Sequence, residues 1–407
     1  MFRLMLILFL LTFNVSAQQP IISGYVDSHQ SKILNQERRF MVDVPENYHD
    51  NDLTYPTLYV IDSDFQFQHV SAVAKNLARM GKIPPMIVVG VANQGNADYI
   101  YHTTWQVEGE HDFGGAKSFH QYIATELVPI IDQAYRTNDN RIMSGYSLGG
   151  LFTTYTMIQA DTPFNAFLAM SPSYWVDDYA AADNISQYIG AQLKQGKQPA
   201  PLFLSVANEQ GMGVKKVLEK LQALNIENWP LQFKAYPDEN HFSTSLPAIV
   251  DALTFLFKDF YEDGYALAEH KDIDDVLATF KQKQQHYNGF RIEWLQAYKL
   301  ARYVFSSKQI DKVDALLAAV EKDFPSSLLS VTNYLAKGFN AKKRFQEAQT
   351  ILDKVAVQGK NNALWHHQYS KAMAGLEHSK KAEHYQTTAM QLADKQQLPM
   401  WQIWEMK

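Results

Sequence analysis

The chain predicts an α/β domain built on a mostly parallel central sheet, followed by an all-α domain of repeated helices. Short apolar runs of strand type, TLYVI (57–61), RIMS (141–144), PLFLSVA (201–207) and LQFKAY (231–236), alternate with helical stretches as far as about residue 260. That alternation marks a sheet with helices on both faces. Beyond residues 260–290 glycines and strand patterns thin out and helical periodicity takes over. With 407 residues the chain exceeds what one ordinary core requires. The expected division is a signal peptide over 1–17, the α/β domain over 18–265 and the helical domain over 266–407.

Residues 1–17 carry one basic residue, Arg3, then LMLILFLLTF, then Val15-Ser16-Ala17 before two glutamines. This is the layout of a secretory signal. The apolar run is too short to span a bilayer, so no stable membrane insertion is expected after cleavage. The chain has no cysteine, which fits a bacterial periplasmic or secreted protein stabilised by core burial. Its formal net charge of −6 gives no support for nucleic-acid binding.

The run TLYVI is an unbroken apolar segment, as expected of a parallel strand buried on both faces, and it leads into Asp62-Ser63-Asp64-Phe65. The next landmark is Gly145-Tyr146-Ser147-Leu148-Gly149, the G-x-S-x-G pattern that places a serine nucleophile on a tight strand-to-helix turn. Residues 141–144 form the entering strand and residues 150–159 (GLFTTYTMIQ) the departing helix. Small residues flank the serine because neighbouring backbone passes too close for a Cβ.

In the α/β-hydrolase order an acid and then a histidine follow the nucleophile. His241 is the single histidine between Ser147 and Phe260, and it lies in the polar loop PDENHFS after the strand LQFKAY. Glu209, just after the strand PLFLSVA, is the favoured acid, with Asp238 and Glu239 as competitors in the histidine's own loop. Its role would be to accept the imidazole N–H and fix the tautomer. One oxyanion donor is the N–H of Leu148, and the second is a backbone N–H around Asp64, to within one residue. Tyr146, Tyr174 and Trp175 are candidates for lining the substrate pocket, with core packing as the competing reading of the Tyr174-Trp175 pair.

The segments YPTLYVIDSDFQF (55–67), MIVVGVAN (86–93), the run from GGAKSFHQY to SGYSLGGLFTTY (114–155) and FNAFLAMSPSYWVDD (164–178) together resemble the putative-esterase family of α/β-hydrolases. That family includes esterase D-like enzymes and esterases that open enterobactin-type siderophores. The resemblance covers about residues 22–260 and implies Ser147 as nucleophile, His241 as base and an acid near Glu209. It also implies a serine hydrolase without metal or organic cofactor, acting on a small-molecule ester. Two segments depart from the family pattern. Asp62-Ser63 stands where members often have Asp-Gly, and ADYIYHTTW (97–105) stands where many have an Arg-x-Arg-Asp stretch. The second departure argues against carrying over an anionic or catecholate substrate.

In the helical part, aligning Val313, Ala348 and Ala382 gives steps of 35 and 34 residues, close to the tetratricopeptide period. Small residues Ala301, Ala336 and Ser370 precede them by 12 positions; Leu317, Leu352 and Gln386 follow by four, and Val320, Val355 and Ala389 by seven. Pro325 closes the first unit. Two readings stay open: a groove for a peptide, a protein partner or a second copy of the chain, or helices that brace the hydrolase domain. Histidines 366, 367, 378 and 384 lack the spacing of a metal site. The glycine-bounded GEHDFGG (109–115) reads as a lid or pocket edge. The sequence thus points to an exported serine esterase. The alternatives are an acyltransferase using the same triad, or a helical-repeat scaffold with a vestigial hydrolase domain.

Overall fold

The computed structural model describes residues 22–260, 267, 269–287 and 290–407. The expected signal peptide and the expected domain division at residues 265 and 266 lie outside the described residues. One eight-stranded sheet organises the first part, in the order β1-β2-β4-β3-β5-β6-β7-β8. The strands are β1 Tyr25–Ser31, β2 Gln36–Asp43, β3 Tyr55–Ile61, β4 Ile87–Val91, β5 Thr137–Tyr146, β6 Ala166–Met170, β7 Leu202–Ala207 and β8 Leu231–Tyr236. Pairing is antiparallel between β1 and β2 and between β2 and β4, and parallel from β4 through β8.

Side chains alternate strictly across the central strands. Leu58 and Val60 of β3 and Val88 of β4 face one apolar layer, with Phe67, Val70 and Ala74 of α1 (Ser63–Arg79) and Ile249 and Leu253 of α8 (Ser245–Leu256). Tyr59, Ile61, Val89 and Val91 face the other. That second layer is closed by α3 (Ala116–Tyr122), α5 (Leu148–Met157), α6 (Ala181–Lys194) and α7 (Val214–Gln222). Both faces of β3 and β4 are therefore dry, which is why these strands read as unbroken apolar runs.

Among the described residues after 270 the regular structure is all helical, with segments including Ile273–His286, Trp294–Ser306, Val313–Asp323, Leu328–Ala341, Phe345–Lys354, Ala363–Gly375 and Ser379–Lys395. Eleven of the twelve aligned repeat positions are buried, Gln386 being the exception. Most of the helices share a core with the sheet, and only a small cluster of Ala363, Ala389, Ala393, Leu398 and Met406 stands apart. The layer on the α1 and α8 face continues through Phe260, Phe280, Leu300 and Val331 to Ala382. Arg291 ties the two parts together: its Nη1 donates to Thr54 O at 2.9 Å and its guanidinium stacks 4.7 Å from the Tyr55 ring centroid. Its Nε pairs with Glu293 at 2.6 Å, although burial still pushes the Glu293 carboxyl above the ordinary carboxylate range.

Candidate active site

The parallel strands end in loops that share one edge of the sheet, as the general rule for open α/β sheets requires. β5 ends at Tyr146, and Ser147 follows at φ 57° and ψ −123° before α5 begins at Leu148. This left-handed backbone is stored strain at a non-glycine residue. Ser147 N donates to Met170 O of β6 at 3.0 Å, which anchors the turn. A Cβ on Gly145 would come within 2.0 Å of Gly149 O, so the elbow demands glycine there. Gly149 is under milder constraint, its nearest neighbour being Ile61 Cγ2 at 3.2 Å.

The loops after β7 and β8 meet over this serine. Asn208 N donates to Glu239 O at 2.9 Å and fastens one loop to the other. His241 Nε2 lies 3.0 Å from Ser147 Oγ, and His241 Nδ1 lies 2.5 Å from Glu209 Oε2. Glu209 Oε1 accepts the Ala207 N–H at 3.2 Å, which orients the carboxylate. Acceptance of an Nδ1–H by this carboxylate would leave the Nε2 lone pair free for a proton from Ser147. Of the competing acids, Asp238 is exposed and makes no contact with the imidazole, while Glu239 contributes its backbone carbonyl. Tyr146 places its ring 5.0 Å from that of His241; burial and then the Glu209 charge push its phenol well above its ordinary pKa.

At the end of β3, Asp62 turns at φ 60° into α1. Phe65 N and Gln66 N both donate to Asp62 O, leaving the Ser63 and Asp64 N–H groups at the helix start without an acceptor among the described residues. The Leu148 N–H at the start of α5 is equally unpaired among them. These are donors of the type an oxyanion needs. Asp64 itself points outward, its carboxylate 2.8 Å from Arg39 Nη2.

A cavity of about 1030 Å³ opens over Ser147 and His241, with Tyr146, Asp62, Asp64, Arg39, Phe65 and Phe242 among its walls. Burial, reinforced by the Asp64 charge and opposed by Asn93, raises the Asp62 carboxyl to about 6. Phe242 is 93% exposed and Phe65 79%, so both present bare rings at the mouth. Two of the expected pocket residues lie elsewhere. Tyr174 is fully buried in the layer beneath α5, and Trp175, on the outer surface, does not line the cavity. Ser173 N donates to Ser147 O at 3.1 Å, and the chain then turns into the core. Residues 109–115 do not line the cavity either.

Sequence reasoning missed Tyr99 of α2 (Asn96–Thr103) and Ser173. The Tyr99 hydroxyl accepts the Gly149 N–H at 2.9 Å and donates to Tyr146 O at 3.1 Å, clasping the elbow from both sides. Ser173 Oγ lies 3.2 Å from Ser147 Oγ. Ser173 stands inside the SPSYW segment, a visible signal; Tyr99 had none. Among the described residues no cluster of His, Asp and Glu could hold a metal ion, and no helix is long and apolar enough to cross a membrane.

The sheet order and the strand-to-helix elbow define an α/β-hydrolase fold. Residues 31–241 match the model of the family described as "Putative esterase", and the chain belongs to that family. It is by class an ester-hydrolysing hydrolase. Two relatives come from Bacillus subtilis (strain 168). The uncharacterized protein YbbA is 27% identical over 183 residues, 43% of this chain and 69% of its own length. The ferri-bacillibactin esterase BesA is 23% identical over 229 residues, 49% of this chain and 78% of its own length. The crystal structure of an IroE-like serine hydrolase from Shewanella oneidensis superposes with a TM-score of 0.61 at 24% identity, covering 73% of this chain and 98% of that one. That likeness is one of fold.

Proposed function

We propose that the chain is an exported serine esterase that cleaves a carboxylic ester through an acyl-enzyme on Ser147. The observation that carries this reading is the contact sequence from Ser147 Oγ to His241 Nε2 at 3.0 Å and from His241 Nδ1 to Glu209 at 2.5 Å, opening on a substrate-sized cavity. Ser147 passes its proton to His241 as Oγ attacks the ester carbonyl. Glu209 stabilises the imidazolium so formed. The Leu148 and Asp64 N–H groups take the oxyanion. His241 protonates the departing alcohol, then draws a proton from water, which resolves the acyl-enzyme and returns Ser147. The assembled geometry weighs against a vestigial hydrolase domain.

A fluorophosphonate probe tests the reading directly. One adduct on the mature protein by intact mass, absent from Ser147→Ala and His241→Ala, is expected; no adduct on folded parent protein would overturn it. Acyl transfer would announce itself as excess product ester when an alcohol is added.

The export part of the proposal is supported by the signal-like composition of residues 1–17 and the absence of cysteine. N-terminal sequencing of the exported protein should begin at Gln18. Residues 266–407 act in this reading as a stack of tetratricopeptide-like units that braces the hydrolase region, supported by the shared apolar layer and by Arg291. A chain ending at residue 265 should then fail to fold, whereas full turnover would make the repeats a separate binding module.

A further inference from the structure

Two hydrogen-bond contacts to the oxygen of Ser147 come from His241 Nε2 at 3.0 Å and Ser173 Oγ at 3.2 Å, and the Tyr99 hydroxyl, committed to Tyr146 O, also lies within interaction range. A hydroxyl has one proton and two lone pairs. With the Nδ1–H committed to Glu209, Nε2 is an acceptor, so the Ser147 proton is committed to it. The contact with Ser173 can then have only one polarity, with Ser173 donating and Ser147 Oγ accepting. Ser173 is 3% exposed, and its hydroxyl has no other partner among the described residues. Its place is built in by backbone. Ser173 N donates to Ser147 O at 3.1 Å, and Ser171, at φ 39°, donates its N–H to Ser205 O at 3.1 Å. Gly150 lets the segment close in, since a Cβ there would meet Pro172 Cα at 3.1 Å.

We infer that Ser173 is a further catalytic residue whose hydroxyl donates to Ser147 Oγ and accelerates breakdown of the acyl-enzyme. The inference rests on the serine-esterase reading. In the free enzyme the bond draws density from the nucleophile and slightly opposes attack. After acylation the same Oγ is the alkyl oxygen of the ester, and a donor on it makes the acyl carbon more electrophilic. When water has added, the C–Oγ bond breaks, the electron pair returns to Oγ, and His241 supplies its proton. Ser173 stabilises the charge that develops on Oγ in that step. At 3.2 Å the bond is long for two hydroxyls, as catalytic contacts in unliganded sites often are.

The test is pre-steady-state hydrolysis of p-nitrophenyl acetate by the mature parent and Ser173→Ala, with intact mass to follow the acetylated enzyme and thermal unfolding alongside. The burst, which reads acylation, is expected to stay within about twofold, while deacylation slows about threefold to tenfold, the effect of one hydrogen bond. Acetyl-enzyme then accumulates in the variant. Deacylation that is unchanged or faster overturns the inference. So does an equal slowing of both steps with a lowered Tm, which would mark Ser173 as structural. Failure of the serine-esterase reading is separable, since the parent itself would then release no p-nitrophenol and carry no acetyl group on Ser147.

Discussion

The Nδ1 of His241 lies 2.5 Å from Oε2 of Glu209, across the gap between the loops that follow β7 and β8. The two residues are 32 positions apart, whereas Asp238 is only three away and faces solvent. If the imidazole depends on this partner, Glu209→Gln should lower kcat by roughly three to four orders of magnitude, because the amide favours the wrong tautomer. Asp238→Asn should change kcat by less than about twofold. Steady-state kinetics of the two variants against one ester decide between the carboxylates.

Tyr99 holds both flanks of Ser147, with Gly149 N at 2.9 Å and Tyr146 O at 3.1 Å from its hydroxyl. Tyr99→Phe keeps the ring and removes both bonds. The expected result is a kcat lower by about threefold to thirtyfold at nearly constant KM. Initial-rate curves measured with the Tm of the variant will show whether the loss is in positioning or in folding.

The two glycines of the elbow should differ in tolerance. Gly145→Ala would place a Cβ 2.0 Å from Gly149 O and 2.6 Å from Thr153 Oγ1. Backbone cannot yield there, and a loss of at least about 3 kcal/mol together with activity is expected. Gly149→Ala comes no nearer to a neighbour than 3.2 Å, at Ile61 Cγ2, so a cost of about 1 kcal/mol is expected. Denaturant unfolding of the pair measures the contrast.

Asp62 carries a pH signature. Its carboxyl is raised from 3.8 to about 6, chiefly by burial. The fold therefore favours the protonated form, so the stability this group contributes is complete below about pH 4 and is lost as pH rises through about 6. Asp62→Asn should match the parent near pH 4 and become the more stable of the two above pH 6, by about 1–2 kcal/mol after allowance for cavity water. Thermal unfolding across that range checks the sign.

The ring of Phe242 is 93% exposed at the cavity mouth, whereas Tyr174 is fully buried. Phe242→Ala should raise KM for aryl esters several-fold, on the order of the loss of one ring contact. Tyr174→Phe should leave KM unchanged. A pair of KM measurements separates a pocket wall from a core residue.

Much of this protein was legible in one dimension, and the reason is local. Gly145 is required by a single turn whose atoms are nearly all neighbours in the chain, and the G-x-S-x-G spacing marks Ser147 at its apex. The run LQFKAY is strand β8 to the residue, because its alternation and the following proline act within a few positions. The run TLYVI was readable since a strand buried on both faces has no polar side to show. β1 was not readable: YVDSHQS is mostly exposed and polar, and only pairing with β2 makes it a strand.

What the sequence by itself determined was the class of fold, the serine on its strand-to-helix elbow, and the order in which an acid and a histidine follow it. Tertiary structure alone decided which carboxylate meets His241, that Tyr99 clasps the elbow, that Tyr174 belongs to the core while Phe242 stands at the cavity mouth, and that the helical region shares one apolar layer with the sheet. The physical reason is range. Backbone sterics and side-chain periodicity are set by residues a few positions apart. Contacts such as Ser147 with His241, 94 residues apart, exist only after loops from separate strands are brought to one edge of the sheet.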